Sequence, residues 1–207
     1  PTFTTGTRTR MTKETTIASE PEAFQTGAPW PVFRRDSRNS GRSSLRSVYQ
    51  GDGPWHIQTS KGIFSTPVID AEGTVYVGSA DHVFYALRRD GSVKWRFRTG
   101  EIIDSAAALP SVADDGPATV LVPSGDGCLY ALRCDTGDTL WAFDARTAPR
   151  ASYNNWWEAN VALGPDGTIY AGNTNFNSYA LNPDGTFRWA YETGANAWSA
   201  AAIGEDG

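Results

Sequence analysis

The 207-residue chain is 12% aromatic, with eight Trp and 21 Gly, and its formal net charge is −5. Residues 1–50 hold eight basic and four acidic groups, whereas the remainder holds ten basic and nineteen acidic. An acidic body is unsuited to wrapping nucleic acid, and no apolar run approaches membrane-span length, so neither a nucleic-acid partner nor a transmembrane segment is expected.

Residues 1–29 are rich in Thr, Ser, Glu and Pro and read as a disordered N-terminal tail. The ordered part is expected over 30–207, opening at Trp30-Pro31-Val32-Phe33, with a polar surface loop over 34–47. From there the chain repeats itself. Tyr-Ala-Leu recurs at Tyr85, Tyr130 and Tyr179, and Trp followed two residues later by an aromatic recurs at Trp95, Trp141 and Trp189. A partial earlier copy is Trp55-His56-Ile57-Gln58-Thr59-Ser60. The period is therefore 45–49 residues.

Each unit reads as four short strands with alternating apolar and polar residues, in the first about Ser65–Asp70, Thr74–Ser79, Val83–Arg88 and Ser92–Arg98. Asp90-Gly91 and Asp184-Gly185 divide third from fourth strands, where an Asp-Gly pair supplies the positive φ of a tight turn. Four strands at this period describe an all-β fold of propeller blades, each blade needing neighbours to cover its faces. Trp in the outer strand is the expected packing element between blades.

Cys128 and Cys134 fall in one predicted strand, roughly 20 Å apart, too far for a disulfide to join them. His56 and His82 have no metal-ligand spacing, and Ser124-Gly125-Asp126-Gly127 aligns with a strand turn rather than a phosphate loop.

The run Ala131-Leu132-Arg133-Cys134-Asp135-Thr136-Gly137-Asp138-Thr139-Leu140-Trp141 resembles the tryptophan-docking repeat of the pyrroloquinoline-quinone (PQQ) propeller superfamily, with Arg133 where Asp is usual. Ala86 to Trp95 and Ala180 to Trp189 are shorter versions, and Trp30-Pro31-Val32-Phe33 with Asn39-Ser40-Gly41 is similar to the family's opening segment. The resemblance implies a propeller of seven or eight blades, of which about three and fragments are present, with the natural protein continuing past Gly207 and supplying the remaining blades. It spans catalytic dehydrogenases and non-catalytic members such as the outer-membrane assembly lipoprotein, and so suggests the cell envelope.

Quinone enzymes of the family carry adjacent cysteines and acidic and amide Ca²⁺ ligands. No adjacent cysteines occur here, so no catalytic residue, metal or cofactor is assigned; PQQ and Ca²⁺ belong only to the alternative that this is part of a dehydrogenase. The primary reading is a non-catalytic scaffold for a protein or small polar ligand at the channel face. A sensor or recruitment module of a larger protein is a third.

One place breaks the repeat. Aligning first strands pairs Glu158 with Ser65, Ser105 and Ser199, and Asn160 with Pro67, Ala107 and Ala201. Just before stand Tyr153, Asn155, Trp156 and Trp157. Tyr153, Asn155, Trp156, Glu158 and Asn160 together offer aromatic surface, amides and a carboxylate near the channel mouth, as a sugar, peptide or cation site requires. The same residues admit a structural reading, with Trp157 and Trp156 packing between blades and Glu158 pairing with a neighbouring Arg. The amide-rich stretch Asn173–Ser178 reads as turn chemistry.

Overall fold

A computed structural model describes residues 23–43, 53–111, 116–148 and 154–204. Among the described residues, eleven strands form three antiparallel sheets in simple meander order. The first blade is β1 (Val68–Ile69), β2 (Val75–Gly78), β3 (Val83–Leu87) and β4 (Val93–Arg98). The second is β5 (Thr119–Pro123), β6 (Cys128–Arg133) and β7 (Thr139–Asp144); the third is β8 (Ala162–Leu163), β9 (Ile169–Asn173), β10 (Asn177–Leu181) and β11 (Phe187–Glu192). The second blade keeps its inner strand as a single bridge, in which Ala108 and Leu121 exchange both backbone hydrogen bonds at 3.1 and 2.8 Å. The expected four-strand blade therefore holds throughout. Among the described residues the one helical element is a 3₁₀ turn at Ala145–Thr147, and no helix is long and apolar enough to cross a membrane.

The inner strands are shorter than the alternation suggests. In the first blade Pro67 has no N–H to give a ladder, and the Ser65 hydroxyl substitutes for one by donating to the Gly78 carbonyl and accepting from the Gly78 amide, both at 2.9 Å. Outer strands share a register shift at one point, between Ala86/Leu87, Ala131/Leu132 and Ala180/Leu181, so the repeat extends to its irregularities.

The second blade buries both its faces by alternation. Tyr76, Phe84 and Trp95 of the first pack against Val120, Val122, Leu132 and Cys134 of the second. Leu121, Leu129 and Ala131, on the opposite face of the second, meet Trp157, Leu163, Ile169 and Tyr179 of the third. Trp55, Trp95 and Trp141 each lie on a glycine of the next blade. A Cβ on Gly91 would come within 2.6 Å of Trp55, one on Gly137 within 2.8 Å of Trp95, and one on Gly185 within 2.4 Å of Trp141. The indole N–H of Trp55 donates to the Arg89 carbonyl at 2.9 Å, and that of Trp95 to the Cys134 carbonyl at 3.0 Å. These glycines also sit at φ near +80°, so Gly meets a steric and a conformational demand at once. Trp189 holds the same strand position in the third blade and is 44% exposed.

Residues 23–29, inside the stretch whose composition reads as tail, lie against the inner strands. Phe24 bridges to Pro110, and Gln25 donates its amide to the Leu109 carbonyl at 3.0 Å. Those partners are distant in sequence, which is why local composition does not announce the order. Residues 1–22 lie outside the described residues. Cys128 and Cys134 are both free thiols, one at the start of β6 and one just past its end.

Candidate functional site

In each blade the turn between second and third strands and the linker to the next blade share one face. That face is built by repeated carboxylate clips. Asp81 accepts from the Ser60 amide at 3.0 Å and the Tyr85 hydroxyl at 2.8 Å. Asp126 accepts from the Gly100 amide and the Tyr130 hydroxyl, both at 2.8 Å. Ser124–Gly127 is thus the turn joining β5 to β6, and its carboxylate holds the incoming linker. His82 sits in the equivalent turn of the first blade, with its Nε2 3.3 Å from a Glu101 carboxylate oxygen.

The third blade replaces this carboxylate by Asn175, whose amide donates to the Asn155 side-chain oxygen at 3.1 Å and to the Tyr179 hydroxyl at 2.7 Å. Asn173 donates to the Asn155 carbonyl at 3.0 Å. Asn155 is therefore buried inside an amide network that fixes the long linker before the blade. The neighbouring Trp156 is anchored through its backbone, by Thr174. Its ring is 39% exposed on the linker face, near the exposed Phe176 of the same turn, which holds a φ of +66°. Trp157 is fully buried, donating its indole N–H to the Gly127 carbonyl at 2.8 Å and packing on Phe143 and Tyr179. Tyr153 lies outside the described residues.

The inner-strand alignment expected from sequence is one residue out of register. Bridges pair Val68 with Tyr76, Ala108 with Leu121, and Ala162 with Tyr170, and these partners occupy one rung of the second strands. The linker amides agree: Ile103, Trp157 and Ala197 donate to Ser79, Ser124 and Asn173 respectively. Glu158 thus corresponds to Phe64, Asp104 and Trp198, not to Ser65, Ser105 and Ser199. Asn160 corresponds to Thr66, Ala106 and Ala200, not to Pro67, Ala107 and Ala201. Likewise Trp157 corresponds to Ile63, Ile103 and Ala197 rather than to Phe64 and Trp198. A slip of one residue exchanges the two faces of a strand, so the correction changes what Glu158 looks at.

What results is a row of four equivalent positions on successive inner strands: Phe64, Asp104, Glu158 and Trp198. The outer two are exposed aromatics, at 72% and 61%, and the inner two are half-buried carboxyls. Burial pushes both carboxyls above their ordinary range. For Glu158 the Asp104 charge adds to this, while a hydrogen-bonding interaction with Trp198 opposes it. Glu158 thus faces another acid rather than an arginine. Asn160 serves the frame, accepting from the Ala106 amide at 2.7 Å, and the Ser105 hydroxyl donates to the Trp157 carbonyl at 3.2 Å. These bonds tie together the two inner strands that carry the carboxyls. Asp104 and the role of Phe64 and Trp198 escaped sequence reading. Correct register across the small-residue strands was the signal needed to find them.

Among the described residues no three His, Cys, Asp or Glu gather where they would hold a metal ion. Burial pushes the Cys134 thiol up to about 12 and raises that of Cys128 as well, so neither is a ready thiolate.

Comparison with curated protein sequences returns no match. Among solved structures, the quinohemoprotein alcohol dehydrogenase of Comamonas testosteroni is similar with a TM-score of 0.65 at 20% identity, over 82% of this chain and 28% of that one. A quinohemoprotein alcohol dehydrogenase of Pseudomonas putida HK5 gives 0.63 at 21% identity, over 81% and 27%. BamB from Moraxella catarrhalis gives 0.49 at 19% identity, over 66% and 38%. The chain thus spans between about a quarter and two-fifths of the length of these structures. The two dehydrogenase likenesses speak to the propeller fold. A family model described as outer membrane protein assembly factor BamB matches residues 38–204, and the chain belongs to that family of PQQ-like β-propeller repeats.

Proposed function

We propose that this chain is part of a non-catalytic propeller scaffold that grips a partner protein at the linker face, through a cationic side chain held by Asp104 and Glu158. The observation that carries the reading is the acid pair between two exposed aromatics. Two carboxyls held together in a half-buried place resist losing both protons, and an approaching ammonium or guanidinium relieves that cost. Phe64 and Trp198 offer ring faces to the same cation, and Trp156 extends the aromatic surface. Asn155 and Asn160 position the frame rather than meet the partner. Membership of a family described as an assembly factor favours a protein over a sugar as partner, and the cell envelope as its place of work.

The test is a tryptophan-fluorescence titration with an oligolysine peptide and, in parallel, a neutral gluco-oligosaccharide. The reading expects a response to oligolysine that weakens about tenfold or more in Glu158→Gln and Asp104→Asn, corresponding to roughly 1.4 kcal/mol or more. The control Glu101→Gln should leave it intact. Equal weakening in all three variants would show attraction by net charge alone and end the proposal.

The dehydrogenase alternative rests on likeness at 20–21% identity, which concerns the fold.

A further inference from the structure

We infer that residues 23–41 form a strap that caps the free edges of successive inner strands at the end away from the linker face. The innermost strand of any blade has one edge without a sheet neighbour, and its amides need acceptors. Positions Ile69, Leu109, Leu163 and Ile203 are equivalent in the register established above. At three of them the amide is donated to the strap: Ile69 to the Trp30 carbonyl at 2.8 Å, Leu109 to the Pro31 carbonyl at 2.8 Å, and Ile203 to the Ser37 carbonyl at 3.0 Å. At the fourth, Leu163 is fully buried in the cluster that also contains Val32 and Ala23 of the strap.

The strap is shaped to make that circuit. Arg34, Arg35, Asn39 and Gly41 all have positive φ, and Gly41 closes the loop by donating to the Arg34 carbonyl at 2.8 Å. Asp36 accepts from the amide and the hydroxyl of Ser40, which pins the loop that presents the Ser37 carbonyl. Non-Gly residues in the left-handed region persist only where their surroundings over-determine them. Here those surroundings are inner strands separated by more than a hundred residues of chain. The inference is independent of what the Asp104–Glu158 pair binds.

Amide hydrogen exchange on the full chain tests it, comparing the native protein with Val32→Asp, which places a charge in the strap's apolar anchor. Exchange at Ile69, Leu109 and Ile203 should accelerate together, by about tenfold or more, while Ala86 and Ala131 inside the sheets keep their rates. Unchanged exchange at the three positions, or a change at Leu109 alone, would overturn the strap. Should Val32→Asp unfold the whole domain, Ala86 and Ala131 will report it, and a cross-link then decides. In a Cys128→Ser, Cys134→Ala background, Ser37→Cys with Ile203→Cys should oxidise to an intramolecular disulfide seen by mass and non-reducing mobility. Failure to form it overturns the inference.

Discussion

Gly137→Ala isolates the force that joins the blades. Gly137 lies at φ +80°, and a Cβ there would stand 2.8 Å from two carbons of the Trp95 indole. Placing an L-residue in the left-handed region costs roughly 1–2 kcal/mol. Forcing a methyl into the packed Trp95 contact costs roughly 1–3 kcal/mol more, because the ring is held by its hydrogen bond to the Cys134 carbonyl and by Tyr76 and Phe84. A total of about 3 kcal/mol translates to a fall in Tm of roughly 6–12 °C for a chain of this size. Gly194 provides the control. It has φ +72° but nothing within 4 Å of a Cβ, so Gly194→Ala carries the backbone cost alone. Urea denaturation followed by far-UV circular dichroism measures both. The docking argument requires Gly137→Ala to be the more damaging by about 1–3 kcal/mol. Equal losses would refute it, since backbone conformation would then account for the whole effect.

Two further outcomes follow from the side-chain chemistry. Asp104 and Glu158 both have carboxyl pKa values raised in the folded state, chiefly by burial. Such groups add stability that is complete below their unfolded pKa and is lost as pH rises through the folded one. Asp104→Asn should therefore stabilise the protein at pH 7, with the gain shrinking as pH falls through the raised folded-state pKa and gone below about pH 4, the ordinary carboxyl range. Urea midpoints across that range check the sign, and a loss of stability at pH 7 would contradict it. Cys134, buried among Tyr76, Val120 and Leu132 with its thiol pushed up to about 12, should resist iodoacetamide at pH 8 until the blades separate. Mass spectrometry of the native protein at intervals will show whether it does.

Much of the blade architecture is legible because it is written in conspicuous residues. Trp95, Trp141 and Trp189 recur with the repeat, and Gly91, Gly137 and Gly185 mark turns where backbone geometry leaves little choice. Outer strands and tight turns are local structures, so neighbouring residues specify them. Inner strands are different. Ser105-Ala106-Ala107-Ala108 and Ala159-Asn160-Val161-Ala162 offer few side chains by which to set a register, and the sequence alone allows a slip of one residue. Only the pairing of Ala108 with Leu121 and Ala162 with Tyr170 decides it, and with it the equivalence of Glu158 with Asp104 rather than with a serine. The order of residues 23–29 has the same cause: their partners are the amides and carbonyls of strands far along the chain, and a polar segment acquires structure when a folded edge exists to receive it. Repeat, strand type and turn chemistry thus belong to the sequence itself, whereas the row of equivalent residues around the axis exists only once the blades have stacked.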